Sequence, residues 1–310
     1  MSVNILFAAR PSSWVTYQPH LTGALTSVGL DFDLQTDFPP DQVDYIVYAP
    51  NSTVQDFTPY TRLKAVLSLW AGVETVVGNQ TLTVPLARMV DHGLTQGMME
   101  WVTGHVLRHH LGMDAHITCQ NGAWTPIVPP LAQSRRVSIL GLGELGRASA
   151  AALASLGFGV TGWSRSARQI DGINCRHGKS GLAAALSCAE IAVLLLPDTP
   201  ATANLLNTNT LAAMPRGAVI INPGRGTLID DDALLGALNS GHIAHATLDV
   251  FRTEPLPADH PYWAHPNVTV TPHIASQTRP ETASQTIAEN VRRGETGAPF
   301  LHLVNRSLGY

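Results

Sequence analysis

Three side chains of the sequence form a set that could donate a proton and hold an anion. Arg225 stands between two glycines after the apolar run AVIIN, Glu254 follows ATLDV, and His273 follows VTVTP. A guanidinium binds a carboxylate in bidentate fashion and stabilises negative charge on a nearby oxygen. Histidine, with an ordinary pKa of about 6.5, suits proton donation near neutral pH, and a neighbouring carboxylate favours its protonated ring. The set suits the reduction of a 2-oxo acid, in which an alkoxide forms beside a carboxylate and must be protonated.

These residues are expected to meet at one edge of a β-sheet. Each follows a short, almost wholly apolar run, which is typical of a strand in a parallel sheet with helices on both faces. Parallel strands end at the same edge, and ligands bind there. Taken singly, Arg225 would more often form a structural ion pair, and His273 is one of 13 histidines. The assignment therefore depends on their common placement.

The alternation of strand-like and helix-like segments predicts an α/β protein with two Rossmann-like or flavodoxin-like domains, each a doubly wound parallel sheet. Strands are predicted at 3–8, 44–48, 63–69 and 82–89 in a first unit, and six more at 137–140, 159–163, 191–196, 218–222, 246–250 and 268–270 in a second. Long helices are predicted at 96–111 and 279–293. The last helix is expected to pack on the first unit. The predicted domains are 1–97 with 277–310, for substrate, and 98–276, for a dinucleotide.

A glycine-rich turn indicates the dinucleotide. Gly141, Gly143 and Gly146 lie between the strand ending at 140 and an alanine-rich helix. In this context G-x-G-x-x-G gives a tight turn, a close backbone approach for the pyrophosphate, and close packing of helix on strand. The helix N-terminus would face the phosphates. The alternative is a turn that serves packing alone.

The residues after the next strand favour NADP(H) over NAD(H). Ser164, Arg165 and Ser166 stand where NAD-specific proteins place the carboxylate that binds the ribose diol, and Arg168 follows. A 2′-phosphate there would meet a guanidinium and two hydroxyls instead of a repelling charge. The alternative is that Arg165 is a solvated loop residue and the protein uses either cofactor. The missing carboxylate also disfavours a methyltransferase, whose S-adenosylmethionine presents the same diol.

Composition excludes several classes of partner and compartment. A net charge of −4 and a pI near 6.3 give no basic face for nucleic acid. The first apolar run spans only about six residues without a preceding basic segment, and no run approaches the roughly 20 residues of a membrane span. Cys119, Cys175 and Cys188 are odd in number and lack a C-x-x-C spacing, which fits a reducing compartment. We expect a cytoplasmic protein with no membrane segment.

A histidine-rich stretch gives only weak support for a metal site. His105 and His109 are four residues apart on a predicted helix, and His110 follows them. Val106 stands where a zinc protease needs glutamate, and no third ligand is evident. No metal is predicted.

The motifs in their order resemble the D-isomer-specific 2-hydroxyacid dehydrogenases. The resemblance rests on GLGELG at 141–146, NPGRG at 222–226, LDVF at 248–251, EP at 254–255 and TPHIA at 271–275. Within the family the chain is most similar to the bacterial glyoxylate/hydroxypyruvate reductase A group, through LKAV at 63–66, AGVE at 71–74, WSRS at 163–166 and the final GY at 309–310. The likeness covers essentially the whole chain.

The resemblance implies roles for individual residues. Arg225 would orient the substrate, His273 would donate the proton with Glu254 as its partner, and Asp249 would lie near the nicotinamide. In a cleft between the domains, the backbone N–H groups of residues 71–73 would bind the substrate carboxylate. It also implies NADPH-dependent reduction of glyoxylate or hydroxypyruvate, and a homodimer formed through the cofactor domains.

Further contacts are expected around these residues. For the cofactor they are Glu144, Leu145, Leu196, Pro197, Thr202, Pro223, Gly224 and Ala275, and for the substrate Trp70, Ala71, Gly72, Val73 and Arg88. Trp70 departs from the glycine common in the family, and its indole either narrows the pocket or packs under the loop. Arg88 either faces the substrate or caps the sheet edge. Trp124 is a lid or an interface residue.

Two other functions stay open at this point. The same chemistry could act on a bulkier 2-oxo acid such as phenylpyruvate, or on phosphoglycerate, although the chain carries no appended regulatory domain. A binding module that senses NADP(H) without catalysis is the other alternative. The complete catalytic set argues against the sensor.

Overall fold

The computed structural model describes residues 2–118 and 120–309. Cys119, one of the three cysteines, and Tyr310, of the C-terminal GY pair, lie outside the described residues. The chain forms two compact units, one of Met1–Leu94 with Gln277–Tyr310 and the other of Thr95–Ser276. The assignment of substrate to one unit and cofactor to the other stays a prediction.

The secondary structure alternates as the sequence predicts. The strands are β1 (Val3–Ala8), β2 (Phe32–Gln35), β3 (Tyr45–Tyr48), β4 (Ala65–Ser68), β5 (Leu86–Ala87), β6 (Arg136–Leu140), β7 (Gly159–Ser164), β8 (Asn174–His177), β9 (Ile191–Leu194), β10 (Ala218–Asn222), β11 (Ile243–Leu248) and β12 (Val268–Val270). The helices are α1 (Pro11–Ser27), α2 (His92–His110), α3 (Met113–Thr118), α4 (Glu144–Ser155), α5 (Gly178–Ser187), α6 (Thr208–Ala212), α7 (Asp231–Asn239) and α8 (Pro280–Thr296).

The first unit holds a parallel sheet of five strands among the described residues, in the order β2-β1-β3-β4-β5. This is the flavodoxin-like order. Helices α1 and α8 pack on each other and bury Leu21, Leu25 and Ile287 against the sheet. Helix α8 begins with a proline and is capped at its C-terminus by Gly297, whose φ of 70° suits a left-handed cap.

The second unit contains the longer parallel sheet, with seven strands in its described part and the order β12-β11-β10-β9-β6-β7-β8. The chain order reverses between β6 and β9, as in a Rossmann sheet. Successive residues of β10 enter different cores, because Ile220 packs on one face and Ile221 on the other. Both faces are therefore covered by helices, which explains the unbroken apolar runs. The predicted α/β class with two parallel sheets is confirmed.

The prediction of six strands in the second unit is wrong by one strand. Strand β8 reads NCRH and is largely exposed, and β2, also missed, is half-buried along most of its length. Both lie at a sheet edge, where a strand has one hydrogen-bonded neighbour and needs no apolar run. Strand β5 is also shorter than the predicted 82–89. In the described part of the chain, no helix is long and apolar enough to cross a membrane.

Candidate active site

The glycine turn between β6 and α4 has the shape that a dinucleotide requires. Gly141 has φ of 114°, and a Cβ there would lie 2.3 Å from the carbonyl oxygen of Leu195. A Cβ on Gly146 would lie 1.8 Å from the carbonyl oxygen of Gly141, so only glycine lets α4 pack this closely. Gly143, in contrast, faces open space. The turn therefore fits a pyrophosphate placed at the N-terminus of α4.

The adenosine end of such a ligand would lie beyond β7. Ser164 ends this strand, and its hydroxyl donates to the carbonyl of Ser166 at 2.7 Å. Arg165 and Arg168 follow on an exposed loop. The register of β7 with β8 pairs Ser164 with His177. The loop thus carries cations and hydroxyls where a 2′-phosphate would sit, and no carboxylate between 164 and 168.

Two of the three predicted catalytic residues are in direct contact. Glu254 follows β11 and His273 follows β12, and the two strands are neighbours. His273 Nδ1 lies 2.7 Å from Glu254 Oε2. The other carboxylate oxygen, Oε1, accepts the backbone N–H of Phe251 at 2.9 Å. The loop therefore orients the carboxylate, and the carboxylate orients the ring with Nε2 left for a substrate.

Asp249 organises the loop that carries His273. Its side chain is fully buried, and its two oxygens accept the hydroxyl of Thr271 at 2.6 Å and the N–H groups of Ile274 and Ala275 at 2.9 and 2.8 Å. Its carbonyl accepts the N–H of His273 at 2.9 Å. These bonds hold His273 at a φ of 53°, which is uncommon for a residue other than glycine. A direct contact of Asp249 with the cofactor stays a prediction.

Arg225 lies on the neighbouring turn, after β10. Asn222 shapes this turn, because its Oδ1 accepts the N–H of Gly224 at 3.1 Å and its Nδ2 donates to the carbonyl of Arg225 at 2.9 Å. A Cβ on Gly226 would lie 2.0 Å from the carbonyl carbon of Phe251, so the Arg225 turn packs directly on the Glu254 loop. Asn222 is not among the residues that the sequence predicts for the site. An Asn before Pro-Gly is a recognisable side-chain turn signal.

The other predicted cofactor residues lie around the same sheet edge. Leu196, Pro197 and Thr202 follow β9, and the Thr202 hydroxyl donates to the carbonyl of Pro197 at 2.7 Å. Pro223 and Gly224 follow β10, and Ala275 is buried beside Asp249. On α4, Glu144 pairs with Arg147 at 2.6 Å and Leu145 is half-buried. Contact of these residues with a cofactor stays a prediction.

The predicted substrate residues of the first unit follow β4, except Arg88, which follows β5. The N–H of Trp70 donates to the hydroxyl of Ser68 at 3.0 Å, while its indole is 44% exposed. A contact of this indole with a substrate stays a prediction. Ala71 and Gly72 are half-buried and Val73 is buried. The N–H of Arg88, a half-buried residue after β5, donates to the carbonyl of His302 at 3.0 Å.

The helical histidines form part of a packed face of the second unit. His109 Nε2 lies 2.9 Å from the Thr247 hydroxyl, and the His109 ring packs on that of His245. Burial lowers the pKa of His109 to about 3 and that of His245 to about 4, so both rings are neutral at physiological pH. Within residues 2–118 and 120–309, no three His, Cys, Asp or Glu side chains form a metal-binding group.

Known proteins are similar to this chain in sequence and in fold. The curated glyoxylate/hydroxypyruvate reductase A of Serratia proteamaculans is 42% identical over 257 residues, which cover 80% of this chain and 82% of that protein. A D-isomer specific 2-hydroxyacid dehydrogenase of Xanthobacter autotrophicus Py2, solved with NADPH and MES, is 40% identical and superposes with a TM-score of 0.93 over 100% of both chains. The NADPH-dependent glyoxylate/hydroxypyruvate reductase of Sinorhizobium meliloti, solved with NADP and sulfate, is 33% identical, with a TM-score of 0.87 over 100% of both chains.

The family-level comparison agrees with these relatives. Residues 104–275, more than half of the chain, match the family described as D-isomer specific 2-hydroxyacid dehydrogenase, NAD binding domain. The matched segment contains the glycine turn, the Arg225 turn and the paired Glu254 and His273. The chain therefore belongs to the D-isomer specific 2-hydroxyacid dehydrogenases.

Proposed function

We propose that this protein is an NADPH-dependent reductase that converts glyoxylate and hydroxypyruvate to the corresponding 2-hydroxy acids. The observation that carries the proposal is the 2.7 Å contact of His273 Nδ1 with Glu254 Oε2, on a loop packed against the Arg225 turn. The relatives from Serratia and Sinorhizobium, which bear the name of this activity, support the choice of substrates.

Each of the three residues has a distinct task in the reaction. Arg225 binds the substrate carboxylate and stabilises the charge that grows on the carbonyl oxygen. His273 donates the proton to that oxygen through Nε2, because Nδ1 is engaged by Glu254. Glu254 stabilises the protonated ring before the transfer. When bound, NADPH supplies the hydride that adds to the carbonyl carbon.

Cofactor preference follows from the loop after β7. Arg165 and Arg168 would bind the 2′-phosphate through charge-assisted hydrogen bonds, and Ser164 and Ser166 would add hydroxyl donors. The relatives from Xanthobacter and Sinorhizobium hold NADPH and NADP. NAD(H) is accepted less well, since it lacks the phosphate that these cations would bind.

Substrate binding would also involve the segment after β4. The N–H groups of Ala71, Gly72 and Val73 bind the substrate carboxylate in this proposal, and Arg88 supports them. The exposed indole of Trp70 favours one second candidate, the reduction of a larger 2-oxo acid such as phenylpyruvate. Comparing kcat/KM for phenylpyruvate and glyoxylate in the wild type and Trp70→Gly separates the two. An unchanged ratio of the two kcat/KM values would show that Trp70 does not line the pocket.

The assembly would be a homodimer in the cytoplasm. Residues 113–118 and 120–131 expose several large apolar side chains, with Trp124 97% and Val128 88% exposed. A second copy of the chain would cover this surface. Light scattering should give a dimer for the wild type and a monomer for Trp124→Ser with Val128→Asp. Val15→Asp, at an apolar residue exposed elsewhere, is the matched control.

The free thiols Cys175 and Cys188 suit a reducing compartment.

The test of the activity is NADPH oxidation with glyoxylate, hydroxypyruvate and phenylpyruvate, with the chirality of the product determined. We expect turnover of the two small acids and a single product enantiomer. Tight NADPH binding without turnover of any 2-oxo acid would favour the NADP(H)-sensing module.

A further inference from the structure

Arg252 lies two residues before Glu254, and the proposed reaction gives it no task. Its guanidinium reaches away from its own loop. Nη2 donates to Asn204 Oδ1 and to the carbonyl of Ile229, and lies 3.5 Å from the carbonyl oxygen of Thr227. Nε lies 3.5 Å from Asp231 Oδ2. One side chain thus contacts several acceptors from outside its own loop.

These acceptors belong to two segments that are bonded to each other. Asn204 follows β9 and donates its N–H to the carbonyl of Thr227 at 2.8 Å. Leu206 forms a bridge with Ile229, and its N–H donates to the carbonyl of Leu228 at 3.0 Å. The segment 227–229 comes directly after the Arg225 turn. Arg252 is therefore anchored to the backbone that carries the substrate-binding cation.

Asp231 is itself fixed in place. It lies in the first turn of α7, and its Oδ1 accepts the hydroxyl of the buried Tyr262 at 2.9 Å. The carboxylate and three oxygen acceptors surround a guanidinium that is partly exposed, with 37% of the side chain accessible. Nη2 and Nε of Arg252 are thus directed at protein acceptors.

The other end of the loop holds the catalytic pair. Glu254 Oε1 accepts the N–H of Phe251, and Oε2 contacts His273. Phe251, Arg252 and Glu254 thus form one short turn with two attachments, one to the Arg225 side through the guanidinium and one to His273 through the carboxylate.

We infer that Arg252 is a positioning residue that fixes Glu254, and through it His273, relative to Arg225. The inference rests on the proposed function for its kinetic consequences. The fork of a guanidinium can satisfy several acceptors in different directions, whereas a lysine ammonium is a compact point charge that cannot span them. Arg252→Lys should therefore restore only part of what Arg252→Gln loses. A small displacement of a catalytic group lowers turnover by about one to two orders of magnitude.

The kinetic test compares Arg252→Gln and Arg252→Lys with the wild type. Arg216→Gln is the matched control, since Arg216 also donates to a carbonyl, that of Ser240, on an exposed surface. We expect kcat to fall between about 10-fold and 100-fold in Arg252→Gln with KM changed less than about twofold. A raised KM with unchanged kcat would instead make Arg252 a substrate-binding residue and overturn the inference.

A double-mutant cycle separates positioning from general support of the fold. In the Glu254→Gln background, Arg252→Gln should have little further effect on kcat, because both changes act through one contact. Equal effects in both backgrounds would overturn the inference.

A readout without turnover keeps the inference distinct from the proposed activity. The contact of His273 Nδ1 with Glu254 Oε2, which is 2.7 Å in this structure, can be measured in crystals of the wild type, Arg252→Gln and Arg216→Gln. A contact that is lost in Arg252→Gln alone supports positioning even if no 2-oxo acid is reduced. An unchanged contact in Arg252→Gln refutes positioning even if the enzyme is active.

Discussion

Replacing Glu254 by glutamine tests the catalytic pair at the level of single atoms. In the wild type, Oε1 accepts the N–H of Phe251 at 2.9 Å and Oε2 contacts His273 Nδ1 at 2.7 Å. Glutamine keeps the shape but offers one acceptor and one NH₂ donor. If its oxygen stays on Phe251, the amide donates to Nδ1 and the ring cannot be protonated there. If the amide rotates, two N–H groups face each other at Phe251.

The magnitude follows from the contact that is lost. A hydrogen bond to a charged group contributes about 1.5–3 kcal/mol. The side chains of His273 and Glu254 are 51% and 35% exposed, so solvent screening places the contribution near the lower limit. A loss of about 1.5 kcal/mol from the transition state corresponds to about a tenfold fall in kcat/KM.

The assay is kcat/KM for glyoxylate reduction by Glu254→Gln at neutral pH, with Glu281→Gln as the matched control. Glu281 also lies near a histidine, with 3.7 Å between its Oε1 and His20 Nε2, on the first unit. We expect the tenfold fall in Glu254→Gln only, because the carboxylate that contacts His273 Nδ1 is gone. Wild-type kcat/KM in Glu254→Gln would show that this contact contributes nothing to the reaction.

Three further predictions concern the cofactor site and the stability of the second unit. Arg165→Gln should raise the Kd for NADPH about tenfold, because one charge-assisted hydrogen bond is lost, and should leave the Kd for NADH unchanged. Nucleotide fluorescence titration measures both constants, and equal changes for the two nucleotides would contradict the assignment. Gly146→Ala should lower both Tm and NADPH affinity, because its Cβ would meet the backbone of the glycine turn, whereas Gly236→Ala, in an open helical position, should be neutral or stabilising. Burial lowers the folded-state pKa of His109 to about 3 and of His245 to about 4. As pH falls below about 6.5, these two histidines take up protons in the unfolded chain but not in the folded one. Each histidine should therefore lower the free energy of unfolding by about 2 kcal/mol between pH 7 and 5. In urea unfolding, the free energy of unfolding of His245→Gln should fall less between pH 7 and 5 than that of the wild type, by the contribution of one histidine. An equal fall in the variant and the wild type would contradict this prediction.

The central strands could be predicted from sequence because they are buried on both faces. Runs such as 218–222 are apolar throughout, and the turns after them carry the polar residues of the site. Strands β2 and β8 could not be predicted in the same way, since an edge strand needs fewer apolar contacts. The sequence of β8, NCRH, is typical of a loop. The missed β8 matters for the site, because it places His177 beside Ser164.

The positions of the catalytic residues could be predicted, but the contacts that hold them could not. Strand order along the chain places His273 and Glu254 after successive strands, and the structure joins them at 2.7 Å. The bonds of Asp249 to the His273 loop and those of Arg252 to Thr227 and Ile229 connect residues far apart in sequence. Periodicity and motif spacing carry no signal for such long-range side-chain contacts.

The most direct test is the kcat for NADPH-dependent glyoxylate reduction by His273→Ala beside His20→Ala, which changes a half-buried histidine of the first unit. We predict that the wild type and His20→Ala turn over alike and that His273→Ala is at least about 100-fold slower, the usual contribution of a positioned acid. Wild-type turnover by His273→Ala would contradict the assignment of His273 as the proton donor.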